Sequence, residues 1–283
     1  MRNVMNGIFD SHAHYDDPAF DPDREEVLSS LQQAGVARFV DVGASVSSTK
    51  RALALAAQYD FAYASVGIHP TELYDEGKNG RTHYTPEDLA FMEEEARHNP
   101  KVVAIGECGL DYHWLPSGDE ELAALYGTDE HMKELQAETF SEQIRMAIRV
   151  GKPIIVHSRD AALDTYELMK REHAEQCGGV IHCFSYSPEE ARRYLEMGFY
   201  IGIGGVLTFK NAAKLRRVCE TVPMERILLE TDCPYMAPEP HRGERNDSRY
   251  LTEVVRKMAE IKNLMTTQIV ETTYMNACRM YGL

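Results

Sequence analysis

The sequence predicts an α/β protein, a single (β/α)8 TIM barrel that spans residues 1–283. Apolar or β-branched runs alternate with amphipathic stretches along the whole chain, and no Pro-, Gly- or Ser-rich linker interrupts them. Five of the apolar runs stop on a histidine or a carboxylate. Because parallel strands of a barrel end at one mouth, these side chains predict a site at the C-terminal ends of the strands.

Each predicted strand is a short apolar run, and each predicted helix has apolar residues that recur every three or four positions. Strands are predicted near 6–11, 36–43, 61–68, 102–107, 153–157, 179–183, 199–204 and 227–232. Helices are predicted over 23–34, 47–58, 86–98, 131–150, 161–174, 188–197, 211–220, 248–262 and 266–280. Eight strands alternating with helices imply a closed parallel barrel.

Capping residues support several helix starts, since a hydroxyl can cap a helix and proline fits its first turn. The signals are Ser47-Ser48, Thr85-Pro86-Glu87 and Ser187-Pro188-Glu189.

Three long irregular segments follow predicted strands, on the face where such barrels build their sites. They are Tyr74–Tyr84, Tyr112–Thr128 and Cys233–Asp247. Within the second, the acidic stretch at 118–121 is interpreted as a solvated surface loop.

The composition is that of a soluble globular protein, with 43% hydrophobic and 27% charged residues. No stretch approaches the roughly 20 apolar residues of a membrane span, and Met1–Asn6 lacks the apolar core of a signal peptide, so the expected location is the cytoplasm. The net charge of −15 disfavours indiscriminate binding to long duplexes, because phosphate contacts come from Lys and Arg. It allows a small, locally basic pocket.

The side chains at the strand ends are those that bind divalent metals: four imidazoles and two carboxylates. They are His12, His14, Glu107, His157, His182 and Asp232. An H-x-H pair on a strand places both rings on one face, because side chains alternate with a period of two. Four imidazoles and two carboxylates suit two divalent ions, with one carboxylate able to bridge them.

Six cysteines without a C-x-x-C pair are expected to be reduced thiols rather than a disulfide framework. Cys108, Cys183 and Cys233 each follow a potential ligand by one residue. Since the next side chain on a strand points the opposite way, these three are interpreted as packing residues.

Several motifs together make the chain resemble the TatD family of metal-dependent deoxyribonucleases, over nearly its full length. These motifs are Asp10-Ser11-His12-Ala13-His14, Gly67-Ile68-His69-Pro70, Gly106-Glu107-Cys108-Gly109-Leu110-Asp111-Tyr112, Val156-His157-Ser158-Arg159-Asp160-Ala161, His182-Cys183-Phe184-Ser185, Glu230-Thr231-Asp232-Cys233-Pro234-Tyr235 and Arg242-Gly243-Glu244-Arg245-Asn246. Tyr186 departs from the glycine usual in that family, and the segment between Trp114 and Met132 is longer than typical.

The resemblance implies two divalent ions, of Mg, Mn or Zn, with Glu107 bridging them. One would be held by His12, His14, Glu107 and Asp232, and the other by Glu107, His157 and His182. Two cations lower the pKa of a water between them and stabilise charge on a phosphodiester. Asp232 would orient that water and accept its proton.

Further residues are predicted around this centre. Arg159, two positions after His157, is expected to grip a phosphate, and His69 is expected to contact the substrate. Asp10 is expected to support the site through hydrogen bonds, whereas Glu230 is expected to pack outside the barrel mouth. Tyr112 and His113 are either base-stacking residues or packing anchors.

The favoured function is therefore phosphodiester hydrolysis of DNA, at ends or on single strands. An alternative enzyme is a metal-dependent hydrolase of a non-nucleic-acid ester, lactone or amide. Many such barrels bridge their metals with a modified lysine where this chain has Glu107. An alternative of another class is an inactive barrel that only binds a partner, which the six filled ligand positions disfavour.

Overall fold

Eight parallel strands form one nearly closed barrel in the computed structural model of the chain, which describes residues 7–75 and 82–283. The strands are β1 (Ile8–Ala13), β2 (Val36–Val42), β3 (Ala62–Val66), β4 (Tyr74–Asp75), β5 (Thr82–His83), β6 (Val102–Asp111), β7 (Ile154–Arg159), β8 (Gly179–Ile181), β9 (Tyr200–Ile203) and β10 (Ile227–Leu229). The barrel order is β1-β2-β3-β6-β7-β8-β9-β10, and β4 and β5 form a separate hairpin. The predicted TIM barrel is confirmed.

The barrel closes through residues that follow β10. Asp232 N donates to His12 O at 2.9 Å, and His14 N donates to Cys233 O at 2.9 Å. Ala13 and Cys233 form a parallel bridge. Closure therefore runs directly beside three of the predicted metal ligands.

The helices largely match the predicted ones. They are α1 (Arg24–Leu31), α2 (Val46–Ala56), α3 (Pro86–His98), α4 (Glu120–Tyr126), α5 (Asp129–Val150), α6 (Ala162–Arg171), α7 (Pro188–Glu196), α8 (Ala213–Thr221), α9 (Leu251–Lys262) and α10 (Thr266–Tyr281). Thr85 and Ser187 form the capping boxes of α3 and α7. The cap of α2 is Ser45, whose Oγ accepts from Ser48 N, rather than Ser47 or Ser48.

The interpretation of residues 118–121 as a solvated loop was wrong, because α4 begins at Glu120. The Asp119 carboxylate accepts hydrogen bonds from the backbone N of Glu121 and Leu122 and so caps the helix. The acidic residues are a helix N-terminus, where negative charge is favourable.

The other two irregular segments differ from each other. The segment Tyr74–Tyr84 contains the β4–β5 hairpin, and its residues 76–81 lie outside the described part of the chain. The segment Cys233–Asp247 has neither a helix nor a ladder strand, as predicted.

The C-terminal helix α10 packs against both ends of the sheet. Tyr281 stacks on Phe9 with ring centroids 5.8 Å apart, and its hydroxyl donates to Ser11 O at 2.7 Å. Asn276 Nδ2 donates to Met224 O and Ile227 O at 2.7 and 2.9 Å. The last helix therefore joins β1 to β10 by hydrogen bonds as well as by apolar contact.

Helix α5 holds two strand ends at the site through buried glutamines. Gln143 Oε1 accepts from Ile68 N at 2.8 Å, and its Nε2 donates to Ile68 O at 3.0 Å. Gln136 pairs in the same way with the backbone of Asp111, at 2.8 and 3.0 Å. Each amide satisfies one buried N–H and one buried C=O beside a predicted site residue.

None of the described helices combines the length and apolar composition required to cross a bilayer.

We expect Gln143→Met to lower the free energy of unfolding by about 2 to 4 kcal/mol, because it strands the buried N–H and C=O of Ile68 without partners. Urea denaturation measures the change. Gln58→Met is the control, since Gln58 is exposed and its side chain donates to Ala54 O within the same turn, and we expect a change within about 0.5 kcal/mol. Equal stability of the two variants would contradict the role of the buried amide.

Candidate metal centre

The six predicted metal ligands converge at one mouth of the barrel. His12 lies in β1, Glu107 in β6 and His157 in β7. The remaining three follow β1, β8 and β10 and are His14, His182 and Asp232. Glu107 lies within β6 rather than at its end, because that strand continues to Asp111.

Glycine allows β6 to run so close to β7. Gly109 has φ +152°, and a Cβ there would lie 1.9 Å from His157 O. No other residue could occupy this position without moving β7, which carries a ligand.

The buried Glu107 carboxylate lies between two groups of histidines. Its Oε2 is 3.3 Å from His12 Nε2 and 3.8 Å from His14 Nε2. Its Oε1 is 2.9 Å from His157 Nδ1 and 3.3 Å from His182 Nε2. The two oxygens thus face different histidine pairs.

Asp232 completes the first group. Its Oδ1 lies 3.5 Å from His14 Nε2 and 3.7 Å from His12 Nε2, and these two nitrogens are only 3.1 Å apart. His14 Nδ1 is 3.0 Å from Val42 O, and a carbonyl can only accept, so Nδ1 carries the hydrogen of the neutral ring. The lone pair on His14 Nε2 then faces the group, as a metal ligand requires.

The second group depends on a carboxylate that sequence reasoning missed as a functional residue. Asp111 Oδ2 lies 2.9 Å from His157 Nε2. A carboxylate that accepts this hydrogen leaves the Nδ1 lone pair of the neutral ring facing Glu107. The sequence did contain a signal for this role, because Asp111 lies four positions after Glu107 on one strand and so shares its face.

The electrostatics of the metal-free side chains favour positive charge at this centre. Burial lowers the pKa of His14, but Asp232 and Glu107 outweigh it and raise the pKa to about 9. Burial likewise opposes the charged form of His182, yet Glu107 and Glu230 raise its pKa to about 10. Burial raises the pKa of Glu107, but His182 and His12 hold that pKa well below its ordinary value. Without metal, the carboxylates therefore favour protonated histidines at this centre, and the same negative charge would favour a bound metal cation.

His69 lies in the same region but has a different chemical role. Its Nε2 is 3.7 Å from Glu107 Oε1, and its Nδ1 accepts from Thr71 N at 3.1 Å. Burial and the neighbouring His157 lower the pKa of His69 to about 3, so the ring is neutral. Because Nδ1 is the acceptor, Nε2 carries the hydrogen and offers a donor rather than a metal-binding lone pair.

The prediction that Glu230 packs outside the barrel mouth was wrong. The side chain is buried, with Oε1 3.4 Å from His182 Nδ1 and accepting from Cys183 N at 2.5 Å. Strand β10 ends at Leu229, so alternation along the strand no longer decides where Glu230 points. Gly202 leaves the space, since a Cβ there would lie 2.3 Å from Glu230 Oε2.

The interpretation of the three cysteines as packing residues holds for Cys108 and Cys233, which are fully buried. For Cys183 the expected direction of the side chain was wrong, because Cys183 groups with His182 and Asp232 so that one potential ligand atom of each lies within 4.8 Å of the others. Strand β8 ends at Ile181, and Cys183 has φ +45°, so strand alternation does not apply to it.

Asp10 supports the centre from below, as predicted. Its carboxylate accepts from Thr231 Oγ1 at 2.7 Å and from Ser248 Oγ at 2.6 Å. It also accepts from the backbone N of His12 and Thr231 at 3.2 and 3.0 Å. One buried carboxylate therefore ties β1 to the segment that carries Asp232.

Two cavities open on the metal centre from different sides. A polar cavity of about 490 Å³ is lined by Ser45 and Arg51, and a more apolar one of about 790 Å³ by Trp114 and Arg159. Both include His69, His157, His182, Asp232 and Tyr235 in their walls.

Arg159 is exposed at the end of β7, and its Cζ lies 5.7 Å from the Trp114 ring centroid. Among the described residues it forms no ion pair. Tyr112 and His113 line neither cavity; they contact Asp164 and Asp160 instead.

The buried donor set fits divalent metal ions. His12 Nδ1 has no hydrogen-bond partner among the described residues, and the Nε2 atoms of His12 and His14 lie 3.1 Å apart. Two imidazole nitrogens this close together beside two carboxylates are a donor set that can hold a divalent ion. A TIM barrel with such a mouth is that of a metal-dependent hydrolase.

Comparison with known proteins also indicates a metal-dependent hydrolase. The chain matches the family described as TatD related DNase over residues 9–282. The metal-dependent hydrolase YabD of Bacillus subtilis is 41% identical over 276 residues, which cover 98% of this chain and 99% of YabD. YcfH of Escherichia coli K12, another metal-dependent hydrolase, is 33% identical over 279 residues, covering 98% of this chain and 96% of YcfH.

A solved structure shows the same fold. The TatD homolog YjjV of Escherichia coli K12 superposes with a TM-score of 0.84 at 30% identity, covering 98% of each chain. The chain therefore belongs to the TatD family and is a metal-dependent hydrolase. The names of YabD and YcfH state this reaction class and no substrate.

We expect Asp111→Asn to weaken divalent metal binding by about 10- to 100-fold while the barrel stays folded, because the carboxylate orients the His157 ring and raises its basicity. Titration calorimetry with Mn²⁺ or Zn²⁺ measures the affinity. Asp164→Asn is the control, since Asp164 is exposed and bonds the Tyr112 hydroxyl. Unchanged affinity in Asp111→Asn would show that Asp111 only anchors its loop.

Proposed function

We propose that the protein hydrolyses phosphodiester bonds of DNA, at ends or on single strands, with two divalent metal ions. The main support for this proposal is the position of the Glu107 carboxylate. One of its oxygens faces His12 and His14, and the other faces His157 and His182. A carboxylate with its oxygens on two ligand groups is suited to bridge two ions.

Each group would hold one ion. The first consists of His12, His14, Glu107 and Asp232, and the second of Glu107, His157 and His182. Bound there, two divalent cations of Mg, Mn or Zn supply an activated water at neutral pH and positive charge against the phosphate oxygens.

On this proposal, Asp232 takes the proton of the attacking water. Burial raises its pKa, but His14 and the other histidines outweigh burial and hold that pKa below its ordinary value. The side chain is therefore an ionised carboxylate at neutral pH, able to orient a water and accept its proton. Its φ of +57° directs it beside the β1 histidines instead of along β10.

On this proposal, His69 and Arg159 bind the substrate phosphate. The neutral His69 ring offers an Nε2–H to an oxygen, since its Nδ1 already accepts from Thr71 N. Arg159 presents a guanidinium with no carboxylate partner among the described residues, which leaves its planar donors available to a phosphate.

The surface charge favours a strand end over a long duplex. With a net charge of −15, the protein repels an extended polyanion outside the site. Cavities of about 490 and 790 Å³ suit a few nucleotides beside the centre, so binding depends on local contacts there.

We expect elemental analysis or anomalous scattering of metal-saturated protein to find two ions per chain, bound by the six residues named above. His182→Asn should reduce the count to one, because it removes a ligand of the second group only. A count of one in the unchanged protein, or an ion on ligands outside this set, would contradict the two-metal proposal.

We expect the protein to cleave fluorescent single-stranded DNA in Mg²⁺ or Mn²⁺, and Asp232→Asn to lower the turnover at least about 100-fold, because the amide cannot accept a proton and is a weaker ligand. Gel or fluorescence assays measure the rate, and the thermal transition should barely move. Asp164→Asn, an exposed carboxylate, is the matched control and should keep full turnover.

Other outcomes identify the alternatives. Hydrolysis of a lactone, amide or simple ester with intact DNA would assign the non-nucleic-acid hydrolase. Metal binding with no hydrolysis of any of these would assign a binding protein. Wild-type turnover in Asp232→Asn would remove that residue from the mechanism.

A further inference from the structure

Trp114 is the only tryptophan of the chain, and it is 49% exposed beside the metal centre. It lines the same cavity of about 790 Å³ as His157, His182 and Asp232. A large exposed indole at the wall of an active-site cavity is a contact surface rather than part of the core.

The backbone of Trp114 is tied to the metal centre by Asp111. Trp114 N donates to Asp111 Oδ1 at 3.3 Å, while Asp111 Oδ2 bonds His157 Nε2 at 2.9 Å. The Asp111 backbone is in turn held by the buried Gln136. These hydrogen bonds therefore fix the backbone that carries the indole relative to the predicted metal ligand His157.

The wall of this cavity contains both polar and apolar side chains. His69 and Arg159 are polar, and Phe184, Val206 and Leu215 are apolar. A ligand that fits such a wall carries both an anionic group and a flat apolar ring.

Arg159 and Trp114 line this cavity together. The guanidinium of Arg159 lies over the Trp114 ring, with Cζ 5.7 Å from the centroid. This cation–π contact keeps the guanidinium beside the indole. An anion bound by Arg159 would therefore lie beside the indole, in the cavity that the predicted metal ligands His157 and His182 also line.

We propose that Trp114 and this cavity form a stacking site for the nucleobase next to the scissile phosphate. The inference rests on the proposed phosphodiesterase function. Every nucleobase offers a π face to an aromatic ring, and such stacking tolerates any sequence. The substrate preferred by this site has an unpaired base, since a base in a duplex already stacks on its neighbours.

The first test uses Trp114 as its own reporter in the metal-loaded protein. We expect deoxyadenosine monophosphate to quench the tryptophan fluorescence, and deoxyribose 5-phosphate or inorganic phosphate to change it little. Trp114→Phe, which leaves no tryptophan, provides the blank. Absence of quenching by the nucleotide, or equal quenching by the sugar phosphate, would overturn the stacking site. This fluorescence test measures binding and needs no hydrolysis, so its result can be interpreted even if the protein does not cleave DNA.

The second test measures coupling between base and indole. For a short single strand, removal of the base beside the scissile bond should lower kcat/KM of the wild type by about tenfold. Trp114→Leu should lose this preference to within about twofold, because it keeps apolar volume without a π face, and Trp114→Phe should retain much of it. The change should appear in KM more than in kcat.

Arg242→Ala is the matched control, because Arg242 stacks over Phe209 at 4.1 Å in an equivalent pair that lines neither cavity. It should keep the wild-type base preference. If Trp114→Leu instead lost activity equally on strands with and without the base, Trp114 would only position its loop. That result overturns the stacking site and leaves the phosphodiesterase proposal in place.

Discussion

The buried carboxylate of Glu107 among five imidazoles is the interaction on which the site depends. It is 3% exposed and lies within 4 Å of ring nitrogens of His12, His14, His69, His157 and His182. Such a group is costly to bury unless positive charge surrounds it, and here the surroundings are ligands that accept either protons or metal ions. The barrel brings these ligands together because its parallel strands all end at one mouth.

Three of the predicted histidine ligands are contacted by a neighbour outside the predicted ligand set. Val42 O fixes the tautomer of His14, Asp111 that of His157, and Glu230 lies against Nδ1 of His182. The Asp10 carboxylate binds Thr231 and Ser248 and so positions the segment of Asp232. The precision of the centre therefore comes from hydrogen bonds that also join distant parts of the chain.

The strands and most helices could be predicted from the sequence, because short apolar runs indicate buried strands and apolar residues every three or four positions indicate helices. The meeting of the six predicted ligands followed from the mouth that parallel barrel strands share. The positions of Glu230 and Cys183 could not, because both follow strands that end earlier than their apolar runs suggest. Helix α4 was missed since its acidic start was interpreted by composition rather than as a capped N-terminus. Asp111 lies in the motif that begins at Gly106, yet its role in orienting His157 is seen only from their contact in the structure.

The distribution of charge explains how an acidic protein can be suited to a phosphodiester. Outside the centre the net charge of −15 repels polyanions, and Arg51 in the polar cavity is already paired with Asp16 at 3.0 Å. On the proposed function, the positive charge that meets a phosphate comes from cations held by the six predicted ligands and from Arg159. On this proposal, the substrate must reach the barrel mouth to bind. An unpaired strand end reaches it more readily than a duplex does, because the paired bases of a duplex keep its charged backbone outside the cavities.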